Sequence, residues 1–77
     1  MFKPDWKSPP GDTIMDLLEE RNWSIDTLAF YLGFNRVLIN QLLNGELLID
    51  ETLGVKLSIL LGSSPEFWIN RYRQYKT

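Results

Sequence analysis

The sequence predicts an all-α bundle of five helices, on three observations. Apolar residues recur at helical spacing along most of the chain after residue 9. The stretches that carry them open at serine, asparagine, aspartate or proline, and most close at glycine or asparagine, the residues that start and stop helices. No run reads as a strand. Seventy-seven residues make one domain near the lower limit for a self-sufficient core. A hydrophobic content of 44%, with three Trp, three Tyr and four Phe, is enough to build one. Residues 1–8 are expected to form an arm and residues 9–77 the folded domain.

The arm, Met1 to Lys7, mixes charges with Phe2 and Trp6, whose rings are expected to pack onto the body. The first helix follows Ser8-Pro9-Pro10-Gly11-Asp12 and runs to about Arg21. Proline suits its first turn, and Ser8 or Asp12 is available as a cap. Ile14, Leu17 and Leu18 face inward, while Asp12, Asp16, Glu19 and Glu20 make a solvated face with favourable charge near the N-terminus. Asn22 can close this helix in the left-handed conformation, and Trp23 precedes the next cap as a staple.

The second and third helices lie within Ser24–Gly45. Ser24 caps a helix with Leu28, Ala29 and Leu32 at helical spacing, and Gly33 takes positive φ to end it. Asn35 caps the third helix, whose inward face is Ile39, Leu42 and Leu43, and Asn44-Gly45 stops it. Ala29 leaves room for the crossing, Gly33 makes the turn and Ile39 packs into the angle between the helices. Three such positions in register mark a helix-turn-helix rather than a plain helical hairpin.

Glu46 to Ile49 form an unusually apolar loop. Asp50 caps a fourth helix over Glu51–Leu61, buried through Leu53, Leu57, Leu60 and Leu61. Gly54 within it costs about 1 kcal/mol against alanine and so marks a close helix approach. Gly62 ends it, and Ser64-Pro65-Glu66 starts a last helix reaching about Tyr75. Its Phe67, Trp68, Tyr72 and Tyr75 offer more aromatic surface than one short helix can bury on so small a bundle, which predicts a homodimer interface there.

Several functions are excluded by composition. With no cysteine and no histidine there is no disulfide framework, no thiol chemistry and no zinc site. Nothing arranges the ten acidic residues into a pocket, so no catalytic residue, metal or cofactor is assigned and a binding module is expected rather than an enzyme. No apolar run approaches a membrane span of roughly 20 residues, and no signal peptide is visible; a soluble cytoplasmic protein is expected.

From Pro9 onward, four segments together resemble one known group along nearly the whole chain. They are PPGDTI at the first helix, the LA…LG…N…IN..LNG core, IDET at the fourth helix and LGSSPEFWIN after it. The chain resembles the Xre-type helix-turn-helix group, with its lambda-repressor-like fold, and specifically its HigA (or VapI) branch of antitoxins. The last segment is the most specific of the four. Similar domains occur alone, beside a small HigB ribonuclease toxin, or fused to a metallopeptidase with an HExxH motif, which this sequence does not contain. The resemblance implies a homodimeric autorepressor that binds double-stranded operator DNA and neutralises a HigB-like toxin.

Carried over by position, it places Arg36, Val37 and Gln41 as base-reading residues, with Arg36 suited to guanine and Gln41 to adenine in the major groove. Asn35, Asn40 and Asn44 then suit phosphate contacts, although capping and ordinary exposed polar surface account for asparagines equally well. The chain also departs from the group's pattern. Ile25 stands where glutamine is usual, Phe30 and Tyr31 replace charged residues, and Glu46-Leu47-Leu48 replaces a basic loop with a proline. Between Asn22 and Val55 one cation, Arg36, faces Asp26, Glu46, Asp50 and Glu51, a net charge of −3. DNA affinity draws on cations that displace counterions, and few are present. Two functions therefore remain. One is a sequence-specific repressor of the antitoxin type. The other is a protein-interaction module that presents Ile25, Phe30, Tyr31, Val37, Leu38, Leu47 and Leu48 as an apolar patch.

Overall fold

A computed structural model describes residues 8–76. Among them are five helices: α1 (Pro10–Arg21), α2 (Ile25–Leu32), α3 (Arg36–Leu43), α4 (Glu51–Leu61) and α5 (Pro65–Lys76). The all-α expectation and the order of elements hold. The expected packing of Phe2 and Trp6 lies outside the described residues.

Each helix boundary has a local cause. Oxygens of Ser24, Asn35, Asp50 and Ser64 accept hydrogen bonds from the amides of Thr27, Leu38, Leu53 and Phe67, at 3.1, 2.8, 2.9 and 3.1 Å. Each satisfies one of the donors left over at a helix start. The first helix differs from expectation: Pro9 holds its N-cap position without a side-chain cap bond, and neither Ser8 nor Asp12 caps it. Proline in the first turn has no amide to satisfy, which reduces the need for one. At the other ends, α1 and α2 close alike. Asn22 (φ 57) and Gly33 (φ 73) are left-handed. The next amides, Trp23 and Phe34, donate back to Leu18 and Ala29, both at 2.9 Å.

The core runs through every helix: Ile14 and Leu18, Leu28 and Leu32, Ile39 and Leu42, Leu53, Leu57 and Leu61, and Trp68, joined by Ile49 from the loop before α4. Leu17, Leu43 and Leu60 pack against it half-buried. Trp68 is fully buried, its indole N–H donating to the Gly62 carbonyl at 3.1 Å. That removes Trp68 from any surface between molecules. Phe67 and Tyr72 are half-buried against the same core, and the Tyr75 ring covers Gly45, so much of the aromatic area of α5 is used inside the chain. Gly54 sits where a Cβ would come 3.1 Å from the Pro65 carbonyl, which confirms the close approach of α4 and α5.

Two long-range contacts fix the start of α1, one to the end of α3 and one to α5. A Cβ on Gly11 would overlap the backbone carbonyl of Leu43, so the first turn of α1 rests directly on the last turn of α3. Arg71 of α5 is 4% exposed. Its guanidinium donates to the Ser8 carbonyl and hydroxyl, each at 2.8 Å, and to the Pro9 carbonyl and the Thr13 hydroxyl, each at 3.2 Å. This side chain fastens the entrance of α1 to α5. This cation, late in the chain, is an internal clamp rather than part of the surface charge.

The glycine contacts give opposite predictions to helix propensity. Alanine in place of glycine inside a helix ordinarily stabilises by about 1 kcal/mol. Gly11→Ala should instead destabilise by at least about 1–3 kcal/mol in urea denaturation, because the clash is with backbone that cannot rotate away. At Gly33, where a Cβ meets nothing within 4 Å, only backbone strain is at stake. Gly33→Val should cost about 1–3 kcal/mol and Gly33→Asn much less.

Candidate nucleic-acid interface

The α2–α3 unit is built from local signals and held by one buried seam. Leu28 and Leu32 of α2 and Ile39 and Leu42 of α3 are buried, and Ala29, half-buried, keeps the crossing close. On α3 the period of 3.6 residues places Arg36, Val37, Asn40, Gln41 and Asn44 within one sector, opposite Ile39 and Leu42. Arg36, Val37, Asn40 and Asn44 are exposed, Val37 at 64%, and Gln41 is half-buried. One helix face therefore gathers five of the six DNA-contact candidates.

The sixth, Asn35, has a structural task. Its Oδ1 is engaged with the Leu38 amide, fixing the start of α3. The amides of Arg36 and Val37 stand in the first turn, where no acceptor exists within the helix, so they point outward with the positive end of its dipole. Gln41 also anchors the loop that leaves α3, because its carbonyl accepts from the amides of Glu46 (2.8 Å) and Leu47 (3.2 Å).

An open groove runs between α2 and α3. Ala29 and Ile39 lie along it, with Asp26 and Phe30 contributed by α2 and Arg36 and Asn40 by α3. Its chemistry is mixed: a carboxylate from one helix, a guanidinium and an amide from the other, and a phenyl ring that is 80% exposed. From Phe30 an aromatic ladder continues out of the groove to Tyr31 and Trp23, with centroids 5.6 Å apart for Phe30–Tyr31 and 5.3 Å for Trp23–Tyr31. Of the apolar positions named as a patch, Phe30, Tyr31, Val37 and Leu48 are exposed, while Ile25, Leu38 and Leu47 are half-buried.

This arrangement agrees with a family model described as helix-turn-helix, which matches residues 14–68. The chain belongs to that helix-turn-helix family, of the Xre type. Among curated proteins it is 34% identical over 61 residues to the HTH-type transcriptional regulator YddM of Escherichia coli K12, itself described as uncharacterised. That match takes in 79% of this chain and 65% of the regulator. It is also 34% identical over 56 residues to antitoxin HigA-1 of Vibrio cholerae, covering 73% of this chain and 52% of that protein. The chain thus spans less than two thirds of the length of the relatives it matches. The matched region of the family model begins at Ile14 and so omits Gly11, which sets the position of α3 through Leu43.

Sequence reasoning did not single out the two residues that mount this unit, Gly11 and Arg71. The available signal for Gly11 was a glycine inside a helix directly after two prolines, where nothing local calls for one. For the face itself a sharp expectation emerges. Asn35→Ala should lower stability by about 1 kcal/mol and raise amide exchange at Arg36, Val37 and Leu38, whereas Asn40→Ala, exposed in mid-helix, should leave both unchanged.

Proposed function

We propose that this protein is a sequence-specific DNA-binding transcriptional regulator of the antitoxin type, which reads operator DNA with the outer face of α3 and acts as a homodimer. The observation that carries the reading is the gathering of Arg36, Val37, Asn40, Gln41 and Asn44 on one face of a helix whose other face is locked by Ile39 and Leu42. A helix mounted in this way can enter a major groove with its side chains leading. Arg36 donates two hydrogen bonds to guanine, Gln41 pairs with adenine, and Val37 offers apolar contact to a thymine methyl. Asn40, Asn44 and the first-turn amides approach phosphates.

Family membership supports the regulator, and the likeness to HigA-1 supports the antitoxin role, with a HigB-like toxin as the protein partner. A second reading has its own observation. Phe30, one helix away from the reading face, is 80% exposed, and the surrounding segment carries a net charge of −3. A surface of that kind suits a protein partner better than a polyanion.

A titration with the DNA upstream of the protein's own gene separates them. Selective binding is expected at low salt, with a shallow salt dependence of roughly one or two released counterions per subunit. Arg36→Ala should weaken specific binding by about 1–3 kcal/mol. Val37→Lys should raise affinity for non-specific DNA and narrow the margin for the operator, since it adds a cation to the face but removes the thymine contact. Folded protein with no selective binding at low salt would overturn the regulator and leave the interaction module.

A further inference from the structure

Three rings stand in a row along the outside of α2. Trp23, half-buried against the core, meets Tyr31 with ring planes tilted by 30°, and Tyr31 meets Phe30 edge to face at 71°. The inner end of the row is anchored and the outer end is open, since Tyr31 is 55% and Phe30 80% exposed. Carboxylates stand at both ends. Asp26 precedes Phe30 by four residues on α2 and shares its face, while Glu19 and Glu20 lie in the last turn of α1, just ahead of Trp23. Arg21 is the one cation between Pro10 and Tyr31, and its guanidinium is already engaged, donating to the Leu61 carbonyl at 2.8 Å.

We propose that this row of rings is a docking site for an arginine-bearing segment of a partner protein. Charge complementarity selects the occupant. A guanidinium is drawn both to the face of an aromatic ring and to the carboxylates beside it. Being planar and weakly hydrated, it stacks on a ring where an ammonium only approaches. Nucleic acid or an acidic peptide meets repulsion from the same carboxylates. Arg36, across the α2–α3 groove from Phe30, opposes a cation at that end and directs it toward Tyr31 and Trp23. This docking site rests on the protein-partner reading given above, to which it adds the side chains and the chemistry.

Titration of the full chain with an amidated tetra-arginine peptide at low salt, followed by amide and indole chemical shifts, tests it. Saturable changes should centre on Trp23, Phe30 and Tyr31, and tetra-lysine should bind several-fold more weakly at equal charge. Phe30→Ala and Tyr31→Ala should each weaken binding roughly two- to fivefold, the loss of one exposed cation–π contact. Both should keep the helical circular dichroism of the parent, because both rings are exposed. Asp26→Asn should weaken binding at low salt and make little difference at high salt. No saturable binding, changes confined to the acidic face of α1, or tetra-glutamate or tetra-lysine bound as tightly would overturn the site. Full affinity in both ring variants would overturn it as well. These results concern the rings alone: a partner held on other side chains would leave the protein-partner reading standing, and selective DNA binding is decided by its own titration.

Discussion

The first turn of α1 lies so close to the last turn of α3 that no side chain fits between Gly11 and the Leu43 carbonyl, and the placement of the reading helix depends on that contact. Backbone against backbone is a stiff spacer, since neither side has a rotamer with which to yield. The contact holds because α1 is itself fixed. Arg71 binds Ser8, Pro9 and Thr13 from α5, and Tyr75 of the same helix covers Gly45 directly after α3. The two ends of the described chain thus close on the C-terminal end of α3. Its N-terminal end is set independently by the Asn35 cap and the Gly33 turn. A helix fixed at both ends presents its outer face at a defined angle, which recognition of a groove requires.

That rigid mounting matters more here than in a basic DNA binder. Phosphate attraction ordinarily supplies much of the affinity and forgives imperfect fit. With Arg36 as the one cation between Asn22 and Val55, little of that attraction is available, and Asp26 borders the same groove. For the proposed regulator, selectivity would then come from hydrogen bonds and the dipole at the start of α3, which lose strength steeply when geometry drifts. On the proposed reading, the exposed rings of Phe30 and Tyr31 would leave α2 for a protein partner while α3 faces DNA, so the two would not compete for the same side chains.

Much of this fold was legible in the sequence because its causes are local. Ser24, Asn35, Asp50 and Ser64 cap the helices they precede, Asn22 and Gly33 turn left-handed where a helix must end, and the boundaries of α4 follow from Asp50 and Gly62. Each of these is decided within a few residues. The misreadings all concern partners far away in the chain. Ser8 was a candidate cap but binds Arg71 instead. Nothing in the sequence marks Arg71 as internal, because arginine is seldom buried and only the folded chain brings the start of α1 to it. Trp68 read as spare aromatic surface, yet it fills the centre of the core. Spacing alone orders the faces of a helix but does not say which neighbour a large ring will meet. On α3 the contacts carried over from the family resemblance fall on one face, apart from Asn35, which caps the helix.

Amide chemical shifts of isotopically labelled protein, followed during addition of its upstream DNA at low salt, test the central claim most directly. The largest changes should fall on residues 35–44, led by the amides of Arg36 and Val37, with α1 and α5 unmoved because the mounting of α3 does not change. Changes centred on Phe30 and Tyr31 with α3 silent, or none at all in the folded protein, would contradict it.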